Sequence, residues 1–314
     1  YVKGGYLQVL DDFSATHCVN EHFLEKLKIL NGTYVLPLSV NYRGIFYNRR
    51  MLEEEGYQIP STYAELINTM QQIKKSGKLP IVFADKDSWT IHQEWDAIDM
   101  SSRGSQDDLF QKVLNGDTFL YEDPIALDST RKFLEIRKYS QKQTINTGYD
   151  EAVKTFANGD AYMFLQGNWA YPMIKKINPD IDLLFMPFPA YSESQAKVVV
   201  KIDATLGVSA SCKHSEAVDQ FLDYVFSKDV SEYYAEKAGA YSCVKSVDVA
   251  DSYAKAFTDS IREGEFFLEE FAYESEKSEA RDALFQNFIS SPQRNTETSF
   301  LKELNDFLIL MKGD

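Results

Sequence analysis

The side chains in this sequence best suited to chemistry are flat rings rather than nucleophiles. The segment Phe156-Ala157-Asn158-Gly159-Asp160-Ala161-Tyr162-Met163-Phe164-Leu165-Gln166-Gly167-Asn168-Trp169 is the most telling. A helix is expected to end at Asn158-Gly159, a buried strand to run over residues 161–165, and Gly167-Asn168-Trp169 to open the next helix. An indole at such a strand-to-helix turn either faces a ligand or closes the helix as a core residue. Catalytic patterns are missing: there is no GxSxG elbow, P-loop, HExxH or GxGxxG followed by the right acidic residue. With 48 acidic residues, chance carboxylate pairs are certain, so a glycosidase pair is neither singled out nor excluded. His17, Cys18 and His22 lie close together without a fourth ligand at a usual spacing, which favours a loop over a metal site. No catalytic constellation is singled out, so an enzyme is not expected, nor a cofactor or a metal.

The elements that must position these rings alternate between helix and strand. Residues 1–30 read as helical in pieces, and Asn31-Gly32 marks a turn. Residues 34–38 and 45–48 read as two strands separated by the polar connection Ser39-Val40-Asn41-Tyr42-Arg43-Gly44. Thr62 and Glu65 form a capping box ahead of Leu66, Met70 and Ile73 at helical spacing, and Gly77 ends that helix. A short buried strand follows at residues 80–83, so helix leads directly into strand, as in α/β layers. Further helices are expected over 106–118 and 125–139, and strands over 183–186 and 197–202. Ser215 is expected to cap an amphipathic helix with Ala217, Val218, Phe221, Leu222, Val225 and Phe226 on one face. From Val249 the chain reads as mostly helical, and the acidic stretch from Glu265 to Asp282 as a solvated helical face.

Bulk properties narrow the partners. A chain of 314 residues is long enough for two domains, each with its own core. The net charge of −15 repels phosphate backbones and anionic membranes, so no nucleic acid is expected. The aromatic content of 14% is high; aromatics fill cores, and a surplus also suits flat, stackable ligands such as sugars. No window approaches the ~18 consecutive apolar residues of a transmembrane helix. Cys18, Cys212 and Cys243 are too few for a disulfide framework, although a Cys212–Cys243 bridge is possible.

The segment ending at Trp169 resembles the F-x-x-G-x-A-x-M-x-x-x-G-x-W signature of extracellular solute-binding proteins of ABC importers, in the carbohydrate-binding, maltose-binding-protein-like branch. The likeness extends through Tyr34-Val35-Leu36-Pro37, Gly44-Ile45-Phe46-Tyr47-Asn48-Arg49 and Pro60-Ser61-Thr62-Tyr63-Ala64-Glu65-Leu66. It continues at Gly207-Val208-Ser209-Ala210-Ser211-Cys212-Lys213-His214 and the helix after it. The resemblance implies an α/β, two-lobe type II periplasmic-binding-protein-like fold with hinge strands and a C-terminal helical region. The first lobe would comprise residues 1–42 and 205–250, and the second 43–204 and 251–314. Hinge crossings are expected near Asn41–Ile45, Asp203–Val208 and Ser246–Tyr253. Tyr1-Val2-Lys3-Gly4-Gly5-Tyr6-Leu7 resembles a region that the family reaches well after its start. The opening strand, helix and strand of the first lobe are therefore expected to be absent.

The resemblance also implies a site. Sugars present hydroxyls at the ring edge and C–H bonds on the faces, so they need aromatic platforms and planar hydrogen-bonding groups. Trp169 matches the family's cleft aromatic. Trp89 follows the strand at 80–83, where it is either a second cleft aromatic or a loop Trp packed on its own lobe; Trp95 reads as core. Asn41 and Tyr42 fall at the first crossing, where Asn41 either meets a sugar or satisfies hinge groups. Asp203 either accepts two hydroxyl protons or pairs with Arg43 or Lys201. Tyr241 falls in a first-lobe cleft loop. The implied partners are a sugar or oligosaccharide and the transmembrane subunits of an ABC permease, with the protein a monomer outside the cytoplasm, lipid-anchored or periplasmic. Competing expectations are a polyamine or peptide receptor, a carbohydrate-active enzyme, and a surface protein that binds a polymer without transport.

Overall fold

The computed structural model describes residues 1–190, 196–247, 252–269, 275–291 and 296–310. Its strands are β1 (Val35–Asn48), β2 (Leu79–Val82), β3 (Ala161–Gly167), β4 (Leu183–Met186), β5 (Val199–Gly207), β6 (Tyr241–Ser242) and β7 (Phe267–Glu269). They run in the order β2-β3-β1-β5-β7, with β4 and β6 also pairing with β1.

The long strand β1 organises everything else. Residues 35–42 pair antiparallel with β5, and residues 43–47 pair antiparallel with β3. The change of partner falls between Tyr42, opposite Val200, and Arg43, opposite Gly167. The two strands expected on either side of a polar connection are thus one strand of 14 residues. The connection stays extended because each sheet half offers ladder partners up to the changeover, so no turn is needed to satisfy its backbone. Gly44 is required there, since a Cβ would lie 2.2 Å from the carbonyl oxygen of Met186 at the end of β4, which pairs antiparallel with β1.

Side chains alternate across this sheet and bury on both faces. Phe46, Val82 and Phe164 point to one side, with Phe46 stacked on Phe185 at 4.0 Å. Ile45, Tyr47, Ile81, Met163 and Leu165 point to the other, under the helices Tyr63–Lys75, Trp89–Arg103, Ser275–Ser290 and Glu297–Leu310. Each fully buried Phe or Ile contributes roughly 1.5–3 kcal/mol, and register is fixed because a one-residue slip would exchange the two faces and set each side chain against the wrong core. The first of these faces is continuous with the core around Leu36, Val40, Leu10 and Phe23.

Local signals hold at several ends. The Thr62–Glu65 capping box forms, and its helix runs Tyr63–Lys75 with Gly77 at φ +81°. Trp95 is core, its indole N–H donating to Thr130 Oγ1 at 3.0 Å. The stripe on Ser215–Val225 is broken: Leu222 is buried, but Phe221 is 56% exposed. All three cysteines are free, so Cys212 and Cys243 are not bridged. Among the described residues no helix is long and apolar enough to cross a membrane. The expected third crossing at 246–253, the start of the C-terminal helical run at Val249 and the middle of the acidic stretch fall partly outside the described residues.

Candidate functional site

The site grows from the turn after β3. Trp169 lies in the short 3-10 turn Asn168–Ala170 that leads into the helix Tyr171–Ile177. Its indole folds back over Gly167, where a Cβ would lie 2.1 Å from the ring. The Gly-x-Trp spacing is therefore a packing requirement: only glycine leaves room for the ring. Trp89 begins the helix Trp89–Arg103, whose body is buried from Thr90 onward apart from Gln93 and Arg103. The two indoles meet at a corner, with centroids 6.4 Å apart and planes 50° apart. Tyr149 backs Trp89 at 5.0 Å, and its own backbone N–H donates to Asp87 Oδ2 at 2.6 Å.

This corner opens on a cavity of about 410 Å³ bounded by Asn41 and Asp203 as well as by both indoles. That size falls within the ~300–1,000 Å³ range of small-molecule sites. A larger hollow of about 640 Å³ lies beside Arg131, Glu135, Lys138 and Lys142, but no aromatic ring lines it. Stacking surface decides between them in favour of the first.

Asn168 stitches the site together. It is fully buried and accepts the backbone N–H of Tyr42 at 2.8 Å. Its amide donates to the side-chain oxygen of Asn41 at 3.1 Å and to the carbonyl of Gly239 at 2.6 Å. Two segments remote in sequence, residues 41–42 and residue 239, thus converge on one amide. Gly239 has φ +65°, and a Cβ there would strike Pro172.

Asp203, on β5, accepts hydrogen bonds from Ser39 Oγ at 3.0 Å and Tyr234 Oη at 3.3 Å. It does not pair with Arg43 or Lys201. Those two cations share Glu269 on β7 instead, at 2.8 and 3.5 Å. Burial alone would raise the Glu269 carboxyl, but Arg43 and Lys201 outweigh it and hold it at about 2. Burial pushes the nearby Asp96 up to about 6 against the opposing pull of Arg43 and Arg281.

Two expected residues do not line the cavity. Tyr42 is 2% exposed, its ring stacked on Phe257 at 4.4 Å and facing Phe185 at 5.7 Å. The strand alternation that aims Asn41 and Arg43 at the cavity turns Tyr42 into the core. Tyr241 is buried on β6 opposite Val40, beside the changeover rather than in the cavity. Sequence reasoning missed Arg43, Lys201, Ile202 and Gln93, which complete the lining. Period two along a strand through Asn41 points to Arg43, and i, i+4 spacing from Trp89 points to Gln93. Either signal was available once Asn41 and Trp89 had been singled out.

A fold of this kind, with a long strand shared between sheet halves and an aromatic cavity at the changeover, is that of two-lobe solute receptors. Residues 1–232 match the family described as bacterial extracellular solute-binding protein, and the chain belongs to that family. It is 25% identical over 253 residues to the multiple sugar-binding protein of Streptococcus mutans, covering 78% of this chain and 59% of that protein. The chain thus spans less than two thirds of that relative's length. The melibiose/raffinose/stachyose-binding protein MelE of Bacillus subtilis is 23% identical over 193 residues, 60% of this chain and 45% of that one. Among solved structures, RafE in complex with raffinose superposes with a TM-score of 0.83 at 23% identity, over 99% of this chain and 82% of that one. The same fold is seen in apo RafE from Streptococcus pneumoniae, with a TM-score of 0.83 at 22% identity, over 99% of this chain and 80% of that one.

Proposed function

We propose that the chain captures a sugar or oligosaccharide in the cavity between Trp89 and Trp169 and delivers it unchanged to the transmembrane subunits of an ABC permease. The observation that carries this reading is the indole corner over a cavity edged by Asn41 and Asp203. Two rings at 50° can cover a face and an edge of a pyranose, while amide and carboxylate oxygens meet its hydroxyls. Sugar-binding relatives support the same ligand class. The lobes are residues 1–42 with 205–250 and 43–204 with 251–314, and ligand held between them favours the closed arrangement. The protein acts as a monomer outside the cytoplasm, held at the membrane by a lipid anchor or free in a periplasm.

The test is a thermal-shift panel of raffinose, stachyose, melibiose, galactose and xylo-oligosaccharides, followed by chromatography of the recovered sugar. Binding of any of them at a hundred times its Kd adds about 2.7 kcal/mol to stability. The sugar should be recovered intact. A cleavage product would move the protein to the enzymes, and stabilisation by spermidine or a peptide alone would move it to other receptors.

A further inference from the structure

We propose that Tyr149 is a positioning residue, whose ring sets the angle of the Trp89 indole against Trp169 before a ligand arrives. The proposal rests on the sugar-binding reading above and adds to it what holds the corner in shape. The two indoles are not fixed equally. Trp169 stands between buried Asn168 and buried Ala170 and folds over Gly167, so its own turn seats it. Trp89 is the first residue of its helix, and the Ser88 side chain makes no capping hydrogen bond there. Helix ends fray, and more so without a side-chain cap. The first turn alone therefore does not fix this half-buried ring.

The support comes from a segment remote in sequence. The Lys86 N–H donates to the Thr147 carbonyl at 3.1 Å, and the Tyr149 N–H donates to Asp87 Oδ2 at 2.6 Å. The turn ahead of Trp89 is thereby clipped to the start of the helix Tyr149–Ala157, with the Asp87 carboxylate at that helix's positive end. The clip brings the Tyr149 ring against Trp89, with centroids 5.0 Å apart and planes 58° apart. Tyr149 is itself packed on the core that holds Val153 and Phe156 of the same helix. It does not line the cavity, so it acts through Trp89 and not on the ligand. A tilted ring pair resists sliding and rotation. Without the Tyr149 ring, Trp89 gains rotamers that binding must then freeze out.

Circular dichroism of the free protein reads the corner, because two indoles held at a fixed angle couple and give a signed signal. The part lost on Trp169→Phe isolates that pair, and it is measured in each Tyr149 background. Tyr149→Ala should lose most of this signal, and Tyr149→Phe should keep it. Calorimetric titration with raffinose, or with stachyose if raffinose does not bind, should show Tyr149→Ala binding about 3- to 10-fold more weakly. Tyr149→Phe, which restores the ring, should bind within about twofold of the wild-type protein. A folded Tyr149→Ala protein that keeps the full signal, or that binds within about twofold of wild type, overturns the proposal. So does a Tyr149→Phe protein that loses as much as Tyr149→Ala. If Tyr149→Ala does not fold, Asp87→Ala releases the clip with the ring still present and should reduce the same signal; an unchanged signal there overturns the proposal. Failure of the wild-type protein to bind any sugar of the panel defeats the proposed function, while the dichroism of the free protein still decides whether Tyr149 sets the corner.

Discussion

Replacing Asn168 by alanine should damage the protein more than any exposed change near the cavity. The side chain is fully buried and makes three hydrogen bonds to two separate segments, residues 41–42 and residue 239. Truncation leaves the Tyr42 N–H and the Gly239 carbonyl without this partner. Each buried orphan costs about 1–3 kcal/mol. Asn41 Oδ1 edges the cavity and can be rehydrated, so it adds little. The sum is about 2–6 kcal/mol, a large share of the ~5–15 kcal/mol that holds a typical domain folded. Equilibrium urea denaturation reads this directly as a fall in midpoint at unchanged slope. Asn168→Asp sharpens the test. The new carboxylate still accepts from Tyr42 but faces the Asn41 and Gly239 oxygens with a charge instead of a donor. Its folded-state pKa is thereby raised above the ordinary carboxylate value near ~3.9. The penalty should be smallest below about pH 4 and grow as pH rises through the raised value. A loss below 1 kcal/mol for Asn168→Ala, or an Asn168→Asp deficit that ignores pH, would refute the claim that this amide holds the site together.

Gly167→Ala should weaken sugar binding at least tenfold while changing Tm little, because the new methyl must push the Trp169 ring off its seat; titration and melting on the same sample separate the two effects. Arg43→Met should cost about 1.5–3 kcal/mol near neutral pH by removing the charged hydrogen bond to Glu269 and leaving that carboxylate to Lys201 at 3.5 Å, measured by urea unfolding. In the parent protein the Glu269 contribution is present above the ordinary Glu pKa of 4.5 and is lost as pH falls toward about 2, so the Arg43→Met deficit should shrink on acidification. Asp96 has the opposite sign: with its pKa raised from 3.8 to about 6, its protonated form favours folding below 3.8 and that advantage is lost as pH rises to about 6. Asp96→Asn should therefore flatten the decline in stability across that window, as followed by melting curves at fixed ionic strength.

Much of the frame was legible because local rules and tertiary demands agree there. The Thr62–Glu65 box, Gly77 and the apolar run after Gly159 each specify an end or a face that packing then uses. Long β1 was not legible as one strand. Its middle is polar, and what keeps it extended is pairing with β5 and β3 from more than a hundred residues away. Phe221 misled because helical periodicity identifies a stripe but not how wide a partner covers it. At the site, the sequence marks the rings but not the network behind them. Nothing local in Gly167-Asn168-Trp169 says that Asn168 reaches Gly239, or that Tyr42 turns inward while Arg43 meets Glu269. Those facts depend on strand parity and on which distant element lies opposite.

The most direct measurement of the central claim is a calorimetric titration of the wild-type protein and of a Trp89→Ala/Trp169→Ala double variant with the same sugar. Saturable one-to-one binding by the wild-type protein, reduced at least a hundredfold in a double variant that still unfolds cooperatively, is the predicted result. Equal affinity in the two proteins would place the ligand elsewhere and contradict the account.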